Sequence, residues 1–337
     1  MNKLPPLGIC IPLFNSEEKI KNVIMSIKNQ KYSNFHAHIF DDCSTDKSIS
    51  IVKDICNNDD HFFIHQNNIN LGQDGNFNSC FNLYCYKYVS IKSDNDIISD
   101  DYYDICIKFL ENNEEYVSCY TNASNTEDMK FFTSYDNDNV YIRLHDIILG
   151  DCPGNMNYGV IRGNILQKLY KWQYLQGNDH IFNFNVAMMG KLKKIDKVLY
   201  YRYIDKKRNT LKYKNTCCSG FSKYYGDKFP TLKLIDMIYG YFKIIDYSYL
   251  NSLDPETIGS IVIKSMYERF GRRIDKEKNI LYEYLERFSK NKNIQNRIIN
   301  EIGSKYIFKS EINKLHIKYC TVKDKMALLA RSIDLGT

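Results

Sequence analysis

The chain has 337 residues, 44% hydrophobic and 26% charged, with 46 Lys and Arg against 40 Asp and Glu and a formal net charge of +6. That length can bury a sizeable core and suits one domain plus an appendage. No apolar run approaches bilayer length, and Pro5, Pro6 and Pro12 interrupt the N-terminal one, so neither a membrane span nor a signal peptide is expected. The 11 cysteines show no C-x-x-C pair or regular spacing, and Cys10, Cys106 and Cys119 fall inside expected strands or helices. They read as reduced, mostly buried thiols, without disulfides or zinc.

In chain order, residues 7–13 form a buried-strand pattern followed by Phe14-Asn15-Ser16-Glu17-Glu18. Asn15 or Ser16 can cap a helix with Ile20, Val23, Ile24 and Ile27 on its inner face. A second strand over 36–40 ends in Asp41-Asp42-Cys43-Ser44-Thr45-Asp46 and opens a helix carrying Ile49, Val52 and Ile55. Residues 70–78 start as a turn with Gly72 and Gly75 and become a helix with Phe77, Cys80, Phe81 and Tyr84 inward. The alternating strand 88–91 leads into Ser93-Asp94-Asn95-Asp96. Two carboxylates at a strand end can share one hard divalent cation with substrate phosphates, although Asp and Asn also populate turns. Asp100 and Asp101 are expected to cap the next helix, whose buried side carries Tyr102, Ile105, Phe109 and Leu110. Strand, helix, strand, helix with acids at the strand ends describes a parallel doubly wound sheet, and ligands in such sheets bind beyond the carboxyl ends of the strands.

This combination resembles the family 2 glycosyltransferases of the GT-A fold. The resemblance is carried by Ile9-Cys10-Ile11-Pro12-Leu13-Phe14-Asn15, by residues 40–46 and 70–78, by Asp94-Asn95-Asp96 and by Gly177-Asn178-Asp179. It covers roughly residues 7 to 205. It implies an α/β fold, a mostly parallel sheet flanked by helices, with a GT-A domain over 1–206 and a basic, mainly helical region over 207–337. It implies transfer of a hexose or N-acetylhexosamine from a nucleotide diphosphate sugar, UDP-linked by expectation, to a saccharide or lipid-linked acceptor, with inversion and with Mn²⁺ or Mg²⁺.

The resemblance assigns roles by position. Pro12 and Phe14 would line the donor base, Asn15 would lie at the donor site, and Asp41 or, preferentially, Asp42 would accept the uracil imide N–H. Asp94 and Asn95 would face the donor, Asp96 with Asp94 would ligate the metal, and Asn78 would lie at the donor site. Asp179 would be the general base, with Trp172 and Asn178 on the acceptor side. Against these stand a packed strand end at Phe14, helix capping at Asp42 and Asp179, a helix hydrogen bond at Asn78 and a core position for Trp172. The chain departs from the family at Phe77, where relatives carry an arginine, at Asn95 inside the acid run, and at Asn178, where Glu is usual. It also has Arg202, Tyr203 and Asp205 near the place of a later His. These departures keep open a catalytically silent sugar-nucleotide-binding or adaptor protein. A nucleotidylyltransferase would need a Gly-rich, Arg- and Lys-containing N-terminal loop that is absent.

Residues 122–154 read as a polar acceptor lid, 158–162 as a strand and 164–170 as a helix. From Lys207 onward 25 basic residues face 14 acidic ones, a net of +11, which leaves 21 against 26, or −5, for the rest. Helices are expected over 231–250, 255–270, 275–288 and 305–331, separated by Pro and Gly, with Ile258, Ile261, Val262 and Met266 as a packing stripe. The cationic faces suit solvent, an anionic membrane surface at the inner, cytoplasmic side, or a dimer, and no nucleic-acid motif is present.

Overall fold

In a computed structural model the described residues run from 6 to 288, except 125–128, 131–132, 151–153, 173–176, 204–236, 238–239, 242–243 and 246–252. The first half is a regular alternation: β1 (Leu7–Leu13), α1 (Ile20–Lys28), β2 (Phe35–Asp41), α2 (Ser48–Ile55), β3 (Phe62–Gln66), α3 (Gly72–Phe77), a 3-10 turn (Asn78–Leu83) and β4 (Tyr88–Ile91). There follow β5 (Ile97–Ile98), α4 (Tyr102–Asn112), β6 (Tyr116–Ser124), β7 (Met129–Lys130), α5 (Val140–Leu149), a 3-10 turn (Gly154–Tyr158), β8 (Val160–Arg162) and α6 (Gly163–Leu166). The last described elements are α7 (Asn178–Met189), β9 (Lys191–Tyr201) and α8 (Pro255–Phe288).

Among the described residues the strands form one nine-stranded sheet of order β3-β2-β1-β4-β8-β6-β9-β5, with β7 on β6. β1 pairs in parallel with both β2 and β4, whereas β8 runs antiparallel to β4 and β6. β1 is apolar throughout because both its faces are covered, as a central parallel strand requires. Its alternate side chains separate two cores. Ile9, Ile11 and Leu13 pack with Val23, Ile24, Tyr103 and Leu110 on the α1/α4 side. On the other side Cys10 joins Phe77, Phe81, Leu144, Phe182 and Phe184.

Several local expectations are corrected. Neither Asn15 nor Ser16 caps α1 through its side chain: the Ser16 carbonyl accepts from Lys19 N and Ile20 N, both at 2.9 Å, and α1 starts three residues after Glu17. Asp101 stands at the N-cap of α4 but makes no cap bond, its carboxylate lying 2.6 Å from Lys31 Nζ. Tyr84 is exposed, because the helix tightens into a 3-10 turn that rotates it off the face shared by Phe77, Cys80 and Phe81.

Cys10 and Cys80 form a disulfide, although their sequence gives no pairing signal. Packing of β1 against the 3-10 turn sets their Cα atoms 5.4 Å apart, within the range a disulfide spans. Residues 122–154 are not simply a lid: α5 buries Leu144, Ile147 and Ile148, and Arg143 Nε donates to the Ala187 carbonyl at 2.8 Å. The helices expected over 255–270 and 275–288 are one 34-residue helix, because Gly271 costs helix stability without ending it. Its Ile258, Val262 and Met266 are buried in the same core as α5 and α7, and Arg269 Nη1 donates to the Ile148 carbonyl at 2.8 Å. Of the helix expected over 231–250, Met237, Tyr241, Ile244 and Ile245 join that core. The one expected over 305–331 lies outside the described residues.

Candidate active site

The strand order reverses direction between β1 and β4, so their carboxyl ends flank the crevice where such sheets bind ligands. Two loops form its first wall. Asn15, at φ 48°, accepts from Thr45 N at 2.8 Å through Oδ1 and donates its own N–H to Ser44 Oγ at 3.0 Å. Ser16 N donates to Ser48 Oγ (2.7 Å), Glu17 N to Asp46 Oδ2 (3.0 Å) and Lys47 N to Glu17 Oε2 (2.9 Å). Asn15 and Asp46 are therefore occupied in knitting the loops together. Phe14 stands out of this wall with 42% of its surface exposed, and Pro12 is half-buried beneath it.

Asp41 and Asp42 are buried at the end of β2. Asp41 Oδ1 accepts from Ser44 N at 3.2 Å. Asp42 Oδ1 accepts from Leu71 N at 2.7 Å and Asn67 Nδ2 at 2.9 Å, which ties the segment before α3 to β2. Oδ2 of Asp42 takes no hydrogen bond among the described residues. Helix capping is thus not Asp42's role: the side-chain acceptor at the start of α2 is Asp46, whose Oδ1 takes Ser48 N at 2.9 Å.

The acid run past β4 closes the other side. Asp94 Oδ2 accepts from Ser16 Oγ at 2.6 Å and Phe14 N at 3.3 Å, which draws the ends of β1 and β4 together. Burial raises the Asp94 carboxyl above the usual carboxylate range, its hydrogen bonds opposing the shift and the neighbouring Asp96 charge adding to it. Asp96 Oδ2 accepts from Tyr200 Oη at 2.7 Å and Oδ1 from Tyr203 N at 2.8 Å. Below them Lys92 is buried, and burial lowers its ammonium to about 8 against the pull of Asp96 and Asp94. Asn95 Oδ1 takes a long 3.3 Å bond from Ser16 Oγ.

These residues fit a hard divalent cation. Asp96 is buried with Asp94 half-buried two residues before it, Asp94 Oδ1 takes no hydrogen bond among the described residues, and each Asp96 oxygen retains a lone pair beyond the one it uses. Among the described residues no group of three or more His, Cys, Asp or Glu converges to hold a metal, so such an ion would depend on substrate phosphates and water for its other ligands.

Tyr158 and Tyr200, their rings parallel at 5.8 Å, form the inner wall. The Tyr158 phenol is pushed up mainly by burial, and then by the charges of Asp96, Asp94 and, last, Asp179. Gly177, at φ 80°, is the N-cap of α7, so Asp179 lies inside the first turn, half-buried, and is not the cap. Asn178 is buried and donates through Nδ2 to Asp74 Oδ1 at 2.9 Å. Burial raises the Asp74 carboxyl to about 7, with the Asn178 bond opposing.

Trp172 is a core residue. It stacks on Phe77 at 3.6 Å with 15° between the planes, and the residue is 8% exposed. Asn78 is engaged by the Trp172 backbone, donating to its carbonyl at 2.9 Å and accepting from its N–H at 2.8 Å. The phenylalanine that replaces the family's arginine thus forms part of a hydrophobic lock. Ser16, read from the sequence only as a helix cap, and Tyr158, Tyr200 and Asp74 were given no site role there. Ser16 and Asp74 stand beside motif residues, whereas the two tyrosines sit among 28 of their kind and carry no signal until the sheet closes.

The Glycosyl transferase family 2 model matches residues 8–189, more than half of the chain. The chain belongs to glycosyl transferase family 2. It is 30% identical over 95 residues to the GalNAc(5)-diNAcBac-PP-undecaprenol beta-1,3-glucosyltransferase of Campylobacter jejuni, a match covering 28% of this chain and 30% of that protein. The chain matches between 30% and 44% of the length of such curated relatives. Among solved structures, residues 1–349 of S. aureus TarS superpose with TM-score 0.59 at 13% identity over 98% of this chain and 92% of that one. The same TarS fragment in complex with UDP-GlcNAc gives 0.51 at 14% identity over 83% and 91%. The mannosyltransferase PcManGT of Pyrobaculum calidifontis, in complex with GDP-Man and Mn²⁺, gives 0.52 at 11% identity over 98% and 87%. At these identities the likeness is one of fold, and the fold is GT-A.

Proposed function

We propose that this chain transfers a hexosyl or N-acetylhexosaminyl group from a UDP-linked donor to a saccharide or lipid-linked acceptor in surface glycan synthesis, inverting the anomeric carbon. The observation that carries this reading is the pair Asp94 and Asp96, held at the β1/β4 crevice by Ser16 Oγ, Tyr200 Oη and Tyr203 N. The TarS fragment bound to UDP-GlcNAc, PcManGT bound to GDP-Man and Mn²⁺, and the undecaprenol-linked substrate named for the Campylobacter relative support it.

The exposed Phe14 ring and Pro12 line the donor base, and Asp42 accepts the uracil imide N–H on Oδ2. Asp94 and Asp96 would hold Mn²⁺ or Mg²⁺, which when bound supplies positive charge to the donor diphosphate and its leaving oxygen. Asp179 takes the proton of the acceptor hydroxyl as that oxygen bonds to the anomeric carbon from the face opposite the diphosphate. The bond to the diphosphate breaks with its electron pair on the departing UDP, so no covalent enzyme intermediate is required. Tyr200 and the Tyr203 amide hold Asp96 in place throughout.

The test is release of UDP from a panel of UDP-sugars, UDP-glucose and UDP-GlcNAc included, with Mn²⁺ and water as acceptor. Asp179→Asn should keep the melting temperature and UDP affinity while turnover falls by roughly 10²–10⁴-fold, the usual size of a general-base effect. Turnover within a few-fold of wild type gives the base role to another residue. UDP binding without turnover of any sugar supports a silent binding protein instead.

A further inference from the structure

We infer that Asp74 is a positioning residue for Asp179, acting through its hydrogen bond to Asn178. This rests on the reading of Asp179 as the base. Asp74 and Asn178 are 104 residues apart in sequence, and their side chains meet at 2.9 Å where α3 approaches the start of α7. Asn178 directly precedes Asp179, so the bond acts on the turn that carries the base.

The two ends of this link are unequal. The start of α7 has a glycine at its N-cap, in the left-handed region at φ 80°, and therefore no side-chain cap of its own. The α3 end is anchored to the sheet. Leu71 N and Asn67 Nδ2 both donate to Asp42, Asn67 also donates to Asn76 Oδ1 at 3.2 Å, and Asn76 Nδ2 donates to the Phe40 carbonyl at 2.9 Å. Gly72, at φ 74°, makes the turn into α3 with its N–H on Asn70 Oδ1 at 3.0 Å. Asp74 therefore transmits the position of the β2 end, where Asp42 lies, to the first turn of α7. A misplacement of the base by about 1 Å can cost on the order of 10²-fold in rate.

The chemistry of the pair also explains why an acid serves here. Asn178 offers an N–H, and Asp74 offers an oxygen acceptor whether or not its carboxyl is ionised. Burial raises that carboxyl to about 7, so both forms are present at neutral pH. An asparagine at 74 keeps the acceptor oxygen and an aliphatic residue does not.

The experiment measures UDP release from UDP-glucose and UDP-GlcNAc with Mn²⁺ for Asp74→Leu, Asp74→Asn and Asn178→Ala, alone and on the Asp179→Asn background. The expected result for Asp74→Leu is kcat lower by about 10- to 100-fold at unchanged donor KM, UDP affinity and melting temperature. Asp74→Asn should retain most of the turnover, and Asn178→Ala should repeat the loss from the other side of the bond if Asp74→Leu does not fold. On the Asp179→Asn background Asp74→Leu should cost nothing further. Wild-type kcat in Asp74→Leu, an Asp74→Asn as impaired as Asp74→Leu, or a full additional loss without Asp179 would each overturn the positioning role. An active Asp179→Asn would instead overturn the base reading, and the positioning role with it.

Discussion

Replacing Trp172 separates a packing role from a sugar-binding one. Trp172 is 8% exposed, its ring centroid lies 3.6 Å from that of Phe77 and 6.3 Å from that of Phe182, which it meets edge-on, and Asn78 clamps its backbone on both sides. Truncation to alanine removes that stacking and opens a cavity between α3 and α7, which for a buried Trp costs about 3–5 kcal/mol. At roughly 2–4 °C per kcal/mol for a domain of this size, the melting temperature should fall by about 6–20 °C. Among the described residues the indole Nε1 is buried without a hydrogen bond, so Trp172→Phe loses no polar partner there and should cost less than Trp172→Ala. Thermal denaturation of both variants, with UDP release measured below their melting points, gives the answer. A Trp172→Ala protein that melts with wild type yet loses acceptor affinity would refute the packing argument.

Three further outcomes follow. Burial lowers His38 from 6.5 to about 4, with His65 and His36 adding to the effect, so the folded state resists its protonation. Its contribution is fully present above about pH 6.5 and is lost as pH falls through about 4. After discounting for solvent at a partly exposed ring it should amount to about 1–2 kcal/mol, and His38→Gln should flatten the melting profile over that window. Tyr200→Phe removes a buried hydrogen bond to a carboxylate, worth about 1.5–3 kcal/mol, and should weaken Mn²⁺-dependent UDP binding, whereas an unchanged titration would show that Asp96 is held without it. The +11 charge over 207–337 is proposed to give peripheral contact with an anionic membrane, and among the described residues no helix is long and apolar enough to cross one. Co-sedimentation with anionic liposomes should then occur at low salt and fade above about 0.1 M, where the screening length is about 10 Å; no binding at low salt would leave the region to packing or self-association.

The parallel half of the sheet was legible because its strands are bounded by their own signals. Buried runs such as 7–13 end in loops of Asn, Ser and Asp, and those loops fall on one edge whatever the tertiary detail. The acids on that edge were legible for the same reason. What the sequence hid were contacts between distant segments. Tyr200 reaches Asp96 only because β9 returns beside β5, and Asp74 reaches Asn178 only because α3 and α7 meet. Trp172, placed on the acceptor side with a core position as the alternative, and Phe77, where relatives carry an arginine, explain each other once stacked. The Cys10–Cys80 pair was missed because spacing rules address local motifs, whereas packing of β1 on the 3-10 turn brings together residues 70 apart.

If Asp94 and Asp96 make the β1/β4 crevice a cation-dependent nucleotide site, calorimetric titration of UDP into wild type and Asp96→Ala, each with Mn²⁺ and with chelator, should show it. Wild type should bind UDP more tightly with Mn²⁺, and Asp96→Ala should show no metal effect. Equal affinity with Mn²⁺ and chelator in wild type, or an undiminished metal effect in the variant, would contradict it.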